Sequence, residues 1–164
     1  DNAVLGLYTQ QPPRRNADFL HMWVYKGPAK DLDTDKNWLV LDGSGKPLEF
    51  IYNVYKTAAK YKQQREPVAP ELAQTLERYL RHHPSRKGPR ARTQTMKLLV
   101  KQDGTPIAQQ NAITRILNRL FGKRVGANIL RHSYLSSKYN LEEMAEDAEA
   151  MGHSVAEQRQ YLRR

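Results

Sequence analysis

Apolar residues recur every three or four positions along most of the chain, the spacing that places them on one face of an α-helix. A turn rich in glutamine and proline at residues 10–13 ends the first such segment. Proline, glycine or asparagine marks several of the other boundaries, as expected where helices begin or end. The pattern predicts helices over residues 4–8, 15–26, 71–82, 108–121, 127–139, 141–151 and 155–162.

A different pattern occupies the stretch between residues 38 and 68. Runs of β-branched, aromatic and other apolar residues at 38–41 and 48–55 flank the turn Asp42-Gly43-Ser44-Gly45. A basic connection follows, and a third short strand is expected around 65–68. A further brief extended piece is expected at 98–100. We therefore predict an α+β fold, mainly α-helical, with one small three-stranded antiparallel β-sheet.

The composition of the chain limits its function. The 27 lysines and arginines outnumber the 17 acidic residues, and the net charge of +10 favours a polyanionic partner. Because there is no cysteine, disulfides, thiolate nucleophiles and cysteine-ligated zinc are excluded. No apolar run is long enough for a transmembrane helix, and neither a phosphate-binding glycine loop nor a metal-ligand spacing is present. We expect no membrane partner, no metal and no cofactor.

Two arginines, a histidine and a tyrosine occur in an order that suits phosphodiester chemistry. Arg15 lies near the start, and Arg131-His132-Ser133, Met151-Gly152-His153-Ser154 and Tyr161 follow it. Guanidinium groups neutralise the non-bridging oxygens of a phosphate, and a histidine can donate to the same group. A tyrosine phenol can attack phosphorus and form a covalent protein–DNA ester.

This order resembles the catalytic domain of the tyrosine recombinase (integrase) family, over essentially the whole chain. The segment from Arg15 to Asp18 resembles the first arginine box of that family, and residues 126–134 resemble the second. Met151-Gly152-His153-Ser154 resembles the box that precedes the nucleophile. The resemblance implies the tyrosine recombinase catalytic-domain fold. It also implies a set of catalytic residues: Arg15, Lys56, Asn128, Arg131, His153 and Tyr161.

The resemblance gives the arginines and their neighbours separate roles. Arg15 and Arg131 would bind the scissile phosphate, and Asp18, on the same helical face as Arg15, would hold its guanidinium in place. Arg14 is an alternative register for Arg15. His132 is one residue beyond Arg131, about 100° around the helix, and is expected to pack or to support its neighbours.

The remaining catalytic positions concern proton transfer and attack. Lys56, in the hairpin between the second and third predicted strands, would protonate the leaving 5′ oxygen, with Lys60 and Lys62 as alternatives in the same hairpin. Asn128 stands where the family has a histidine, and an amide cannot carry a proton at neutral pH. Tyr161 would be the nucleophile.

The resemblance implies site-specific cleavage and rejoining of double-stranded DNA through a 3′-phosphotyrosine intermediate. It further implies a homotetramer on DNA for the full-length protein, clamped by an additional N-terminal domain. The chain starts without Met inside a predicted helix, so we expect residues 1–164 to be the catalytic domain alone and monomeric as a fragment. Further basic residues are expected to contact DNA: Lys60, Lys62, Arg86, Lys87, Arg90 and Arg92.

Other functions stay open at this point. A type IB topoisomerase or a telomere resolvase shares the same chemistry, and Asn128 keeps a catalytically silent DNA-binding module under consideration. An RNA-binding domain is disfavoured because the aromatic stacking pattern of single-strand readers is lacking. The first box resembles recombinases of large DNA viruses and eukaryotic mobile elements. We expect an intracellular location with the target DNA, in either nucleus or cytoplasm.

Overall fold

A mixed five-stranded β-sheet forms the centre of the fold. The structure, a computed structural model, describes residues 1–86, 95–137 and 151–152. Its strands are β1 (Met22–Lys26), β2 (Asn37–Leu41), β3 (Pro47–Tyr52), β4 (Gln64–Pro67) and β5 (Thr95–Lys97). They are arranged in the order β4-β3-β2-β1-β5. The β1–β2 pair is parallel, and the other neighbouring pairs are antiparallel.

The predicted three-stranded antiparallel sheet is therefore wrong, because β1 and β5 extend the predicted β2–β3–β4 unit. In the segment predicted as helix 15–26, only α2 (Asn16–Leu20) is helical, and β1 follows it. The spacing of Phe19, Met22 and Trp23 fits a helix, but β1 alternates between buried and partly exposed residues, as a strand does. Its aromatic and β-branched residues pair with strands on both sides. Among the described residues, helix still exceeds strand, 41% against 19%.

The edge strand β5 lies just before the extended piece predicted at 98–100. Its residues 95–97 pair with β1, with Trp23 opposite Lys97. Val100 forms a single bridge with Pro106. The extended character of this region was predicted, but its position in the sheet depends on a partner far away in the sequence.

The other α-helices of the described residues are α1 (Asn2–Thr9), α3 (Ala58–Tyr61), α4 (Pro70–Arg81), α5 (Gln110–Phe121) and α6 (Ala127–Ser136). The structure confirms four predicted helices, now α1, α4, α5 and α6, with ends shifted by a few residues. The helices predicted over 141–151 and 155–162 lie outside the described residues except for Met151, which lies in a turn. In the described ranges, no helix has the length and apolar character needed to cross a membrane.

Helix α4 shows how the apolar pattern creates the packing. Pro70 occupies the first turn, where the missing N–H costs nothing. Leu72, Leu76 and Leu80 lie four residues apart along one face, and each is at most 1% exposed. Burial of each leucine contributes roughly 1.5–3 kcal/mol. This face fixes α4 against the sheet and α1.

Apolar residues cover both faces of the sheet. The main core lies between one face and the helices, and it includes Leu7, Phe19, Leu39, Phe50 and Leu72. The opposite face carries a smaller cluster in which Trp38, Val40 and Ile51 pack against Trp23, Tyr25, Ala29 and Leu32. Every residue of β2 is consequently buried, as expected for a central strand covered on both sides.

Candidate active site

A cleft of about 540 Å³ opens where the start of α2, the segment after β3, and the starts of α5 and α6 meet. Four of the residues predicted to be catalytic line it: Arg15, Lys56, Asn128 and Arg131. They belong to three separate segments of the chain, so the fold and not sequence proximity brings them together. The other two predicted catalytic residues, His153 and Tyr161, lie outside the described residues.

The two adjacent arginines of the first box have different environments. Arg15 is partly buried, occupies the N-cap position of α2 with an extended backbone, and lines the cleft. Its Nη1 donates a hydrogen bond to the carbonyl oxygen of Gly152. Arg14 has no exposed surface. Arg15 is therefore the arginine of this box that is placed to meet a ligand.

Arg14 is held by a buried network. Its Nε lies 3.1 Å from Oδ2 of Asp18, and its Nη1 lies 2.9 Å from Oε1 of Glu66 and 3.0 Å from Oε1 of Gln64. The guanidinium carbon stands 3.6 Å from the centroid of the Tyr52 ring. Burial alone would lower the pKa of Arg14, but the neighbouring acidic groups outweigh it and raise the pKa. Arg14 joins α2 to β3 and β4.

Asp18 was predicted to hold the guanidinium of Arg15. In the structure it forms its ion pair with Arg14 instead. Arg14 lies two residues before α2 and four before Asp18, and the fully buried site lets the two side chains meet away from water. Burial raises the pKa of Asp18, and the charges of Arg14, Arg15 and Arg131 oppose that rise. The carboxylate thus lies within electrostatic reach of both cleft arginines while its ion pair is made with Arg14.

Arg131 projects from α6 and is 1% exposed, although it lines the cleft. Its charge also acts on Tyr8, whose pKa is raised well above its ordinary value mainly by burial. The neutral Tyr8 hydroxyl donates to Oδ1 of Asn16 over 2.5 Å. Asn16 in turn donates to the Gln110 carbonyl, 3.1 Å away. Asn16 thereby ties α2 to α1 and α5 directly beside the cleft, a role that its sequence context did not reveal.

The hairpin between β3 and β4 contains the short helix α3. Lys56 precedes it and is exposed, and among the three hairpin lysines it is the one that lines the cleft in the described part of the chain. Lys60 stands 4.8 Å from the centroid of the Tyr61 ring. Lys62 is exposed and adopts a positive φ of 59° at the end of α3. The geometry favours Lys56 over the two alternatives.

Asn37 positions the segment that leads to Lys56. Its Nδ2 donates to the carbonyls of Asp18 and Val54, at 2.8 and 2.9 Å. Its Oδ1 accepts from the backbone N–H groups of Asn53 and Val54, at 2.8 and 2.7 Å. This buried amide therefore uses both its donors and its acceptor to fix the end of β3 against α2. The sequence signal for this role is a polar residue at the start of an otherwise apolar strand.

Gly152, the residue before His153, contacts both the arginine box and the lysine hairpin. Its carbonyl accepts hydrogen bonds from Arg15 and from Oγ1 of Thr57, the latter at 2.8 Å. Its φ is +68°, and a Cβ there would lie 2.7 Å from Nη2 of Arg14 and 3.1 Å from Cδ2 of Tyr55. Both the backbone angle and the close approach require glycine at this position.

The remaining predicted residues lie around this centre or away from it. Asn128 is exposed at the rim of the cleft, in the first turn of α6. His132 is partly buried on α6, next to Arg131. Arg86 is exposed in a short 3₁₀ helix at Pro84–Arg86. The predicted DNA contacts Lys87, Arg90 and Arg92 lie outside the described residues.

The cleft has the chemistry of a phosphate site. Two guanidinium groups and one ammonium group line it, and guanidinium groups can bind phosphate oxygens in pairs. Helix α6 begins at Ala127, with its N-cap residue Gly126 on the cleft wall, and the amino end of a helix favours an anion. No protein-family model, no curated protein and no solved structure matches this chain.

Proposed function

We propose that this chain cleaves and rejoins DNA strands through a 3′-phosphotyrosine intermediate, as tyrosine recombinases do. The observation that supports it is the cleft that gathers Arg15, Lys56 and Arg131 from three separate segments. The order of the motifs singles out the same three residues as two phosphate ligands and a proton donor. The net charge of +10 agrees with a polyanionic substrate.

In the proposed reaction, the hydroxyl oxygen of Tyr161 attacks the scissile phosphorus while Arg15 and Arg131 bind the non-bridging oxygens. The bond from phosphorus to the 5′ oxygen breaks, and Lys56 gives that oxygen a proton. The phenolic proton passes to solvent, because Asn128 cannot accept it. Each arginine is expected to stabilise the transition state by about 3 kcal/mol.

Rejoining is the reverse of cleavage. A 5′ hydroxyl attacks the phosphotyrosine, a phosphodiester forms, and Tyr161 leaves as a phenol. Because one phosphate ester replaces another at each step, the bond energy is conserved in the covalent intermediate. The cycle therefore needs no input from a nucleoside triphosphate.

Covalent capture of DNA tests the proposal. We would incubate the chain with a pool of labelled, nicked duplexes whose sequence is random around a fixed scissile position, and resolve adducts on a denaturing gel. The wild-type chain should form an adduct and Tyr161→Phe should form none, because only the nucleophilic oxygen is lost. Tyr134→Phe, which removes a hydroxyl from α6, is the matched control and should retain the adduct. Absence of an adduct from the wild-type chain would overturn the proposal.

The role of Lys56 has its own test. A sulfur atom in place of the bridging 5′ oxygen leaves readily without protonation, so it removes the need for a general acid. Lys56→Ala should cleave ordinary DNA slowly and sulfur-substituted DNA at nearly the wild-type rate. Lys60→Ala should resemble the wild type on both substrates. If Lys56→Ala is equally slow on both, the lysine does not act as the acid.

The same cleavage step also serves a type IB topoisomerase or a telomere resolvase, and the cleft does not separate them. Relaxation of a supercoiled plasmid by the chain would favour the topoisomerase activity, whereas exchange between two DNA sites would favour recombination. The exposed Asn128 at the cleft rim is the observation that favours a silent DNA-binding module. DNA binding without any covalent adduct would be the result expected of such a module.

A further inference from the structure

Thr57 occupies the position before α3 but does not cap that helix. A threonine at this position usually accepts a hydrogen bond from an N–H group in the first turn. Here no side-chain cap bond is formed, and the φ and ψ angles of Thr57, −110° and 18°, differ from those of a regular cap. Its hydroxyl instead donates to the Gly152 carbonyl, 95 residues away in sequence and 2.8 Å away in space.

We infer that Thr57 is a positioning residue that holds the Lys56 segment in register with the turn at Gly152. This inference rests on the proposed function, since it assigns Thr57 a part in the protonation step carried by Lys56. Thr57 is the next residue after Lys56, and Gly152 directly precedes His153. One hydrogen bond therefore joins the segments that carry the proposed acid and the predicted histidine.

The Gly152 carbonyl is suited to this task because it is shared. This one oxygen accepts hydrogen bonds from Thr57 and from Arg15, so the lysine hairpin and the arginine box are both bound to the same atom. A carbonyl oxygen has two lone pairs, and these two donors use both. Movement of the hairpin away from this oxygen would separate Lys56 from the phosphate ligand Arg15.

The surroundings of Gly152 keep that oxygen in place. Arg14 and Tyr55 lie so close to its Cα that a Cβ would collide with them. The Tyr55 hydroxyl donates to the Lys62 carbonyl over 2.7 Å and thus braces the far end of the hairpin. Arg14 is itself fixed by its buried ion pairs. Because Gly152 is held in place by these contacts, the hydrogen bond from the Thr57 hydroxyl fixes the hairpin to the turn at Gly152.

The experiment compares Thr57→Val, which keeps the shape and loses the hydroxyl, with Thr57→Ser, which keeps the hydroxyl. Single-turnover cleavage is measured on ordinary and on sulfur-substituted nicked DNA from the random pool. Thr57→Val should cleave ordinary DNA about tenfold to 100-fold more slowly, as expected when a catalytic group is misplaced by a fraction of an ångström to one ångström. Thr57→Ser should cleave at nearly the wild-type rate. On sulfur-substituted DNA, Thr57→Val should recover, because protonation by Lys56 is no longer needed.

The outcomes separate this inference from the proposed function. If the wild type forms no adduct, the proposed function fails and the role of Thr57 fails with it. If the wild type cleaves and Thr57→Val is unaffected, or is slowed equally on both substrates, only the role of Thr57 is overturned. Circular dichroism checks that each variant is folded, and Thr57→Ala removes the same hydroxyl should the valine variant not fold.

Discussion

Arg14 and Arg15 are adjacent in the chain, yet Arg14 is fully buried and Arg15 lines the cleft. The Arg14 guanidinium carbon lies 3.6 Å from the centroid of the Tyr52 ring and has no exposed surface. Arg15 donates to the Gly152 carbonyl and shares the cleft with Lys56. Arg14 therefore has a structural place in the interior, whereas Arg15 has the position that the proposed phosphate ligand requires.

Alanine substitution should therefore lower mainly the stability at Arg14 and mainly the cleavage rate at Arg15. Arg14→Ala leaves the buried Asp18 without its partner and should lower the free energy of unfolding by about 3–5 kcal/mol. Arg15→Ala should change stability by less than about 1 kcal/mol. It should, however, slow cleavage by roughly two to three orders of magnitude, the loss expected for one ligand of the transition state. Urea unfolding and single-turnover cleavage measure the two effects. If Arg15→Ala cleaves DNA at the wild-type rate, the role proposed for Arg15 is wrong.

Asn128→His should preserve or raise the cleavage rate. The substitution puts a proton acceptor at the cleft rim, where the amide of Asn128 cannot take the phenolic proton. Because histidine has an ordinary pKa of about 6.5, any gain should grow as the pH rises from about 6 to about 7.5 and the imidazole becomes neutral. The rate ratio of variant to wild type over this range is the measurement. A large loss at every pH would mean that the site is built around an amide.

Asn37→Ala should destabilise the fold although it removes no charge. The variant leaves two backbone N–H groups and two carbonyls without the partner they have in the structure. With about 1–3 kcal/mol for each buried group that stays unsatisfied, we expect a loss of roughly 3 kcal/mol or more in the free energy of unfolding. The exposed Asn128→Ala is the control and should change it by about 0.5 kcal/mol or less. Similar losses in the two variants would contradict the positioning role of Asn37.

His83 should make stability depend on pH. Its Nε2 lies 3.2 Å from the Leu98 carbonyl, and its Nδ1 accepts from the Ser85 N–H at 3.2 Å, so the ring is neutral in the folded state. Burial lowers the pKa of His83 below its ordinary value of 6.5. As the pH falls below about 6.5, the unfolded chain takes up a proton that the folded chain resists, and stability is lost.

Urea unfolding at about pH 7.5 and about pH 5.5 tests this dependence. The loss of stability between the two values should be smaller in His83→Gln than in the wild type, because glutamine does not titrate. His82→Gln changes the exposed neighbour and should keep the wild-type dependence. An unchanged dependence in His83→Gln would assign the effect to other groups.

The sequence was sufficient where the signal is local. Helices α4 and α5 and the β2–β3 hairpin follow from apolar spacing and turn residues within each segment. The sequence predicts a helix where β1 lies because the spacing of Phe19, Met22 and Trp23 is helical, whereas pairing with β2 and β5 makes the segment from Met22 a strand. Local periodicity contains no information on such distant partners.

For the cleft, the order of the motifs predicted residues that line it, but not the side chains that hold those residues in position. Arg15, Lys56, Asn128 and Arg131 were named from the sequence and do line one cleft. The partner of Asp18 and the roles of Asn37 and Thr57 were missed, since each depends on a contact that only the folded chain creates. Side chains that position other groups leave no spacing pattern of their own.

The place of β5 at the edge of the sheet has a consequence for the order of folding. The hydrogen bond from Lys97 to the Leu20 carbonyl closes a loop of 77 residues, whereas β2, β3 and β4 pair as consecutive hairpins. Long loops cost more entropy before their contacts form, so the hairpins should assemble first and β5 should join β1 late. Helices α5 and α6, which carry half of the cleft, follow β5 in the chain. The cleft should accordingly be one of the last parts of the molecule to form and one of the first to be lost when the β1–β5 edge opens.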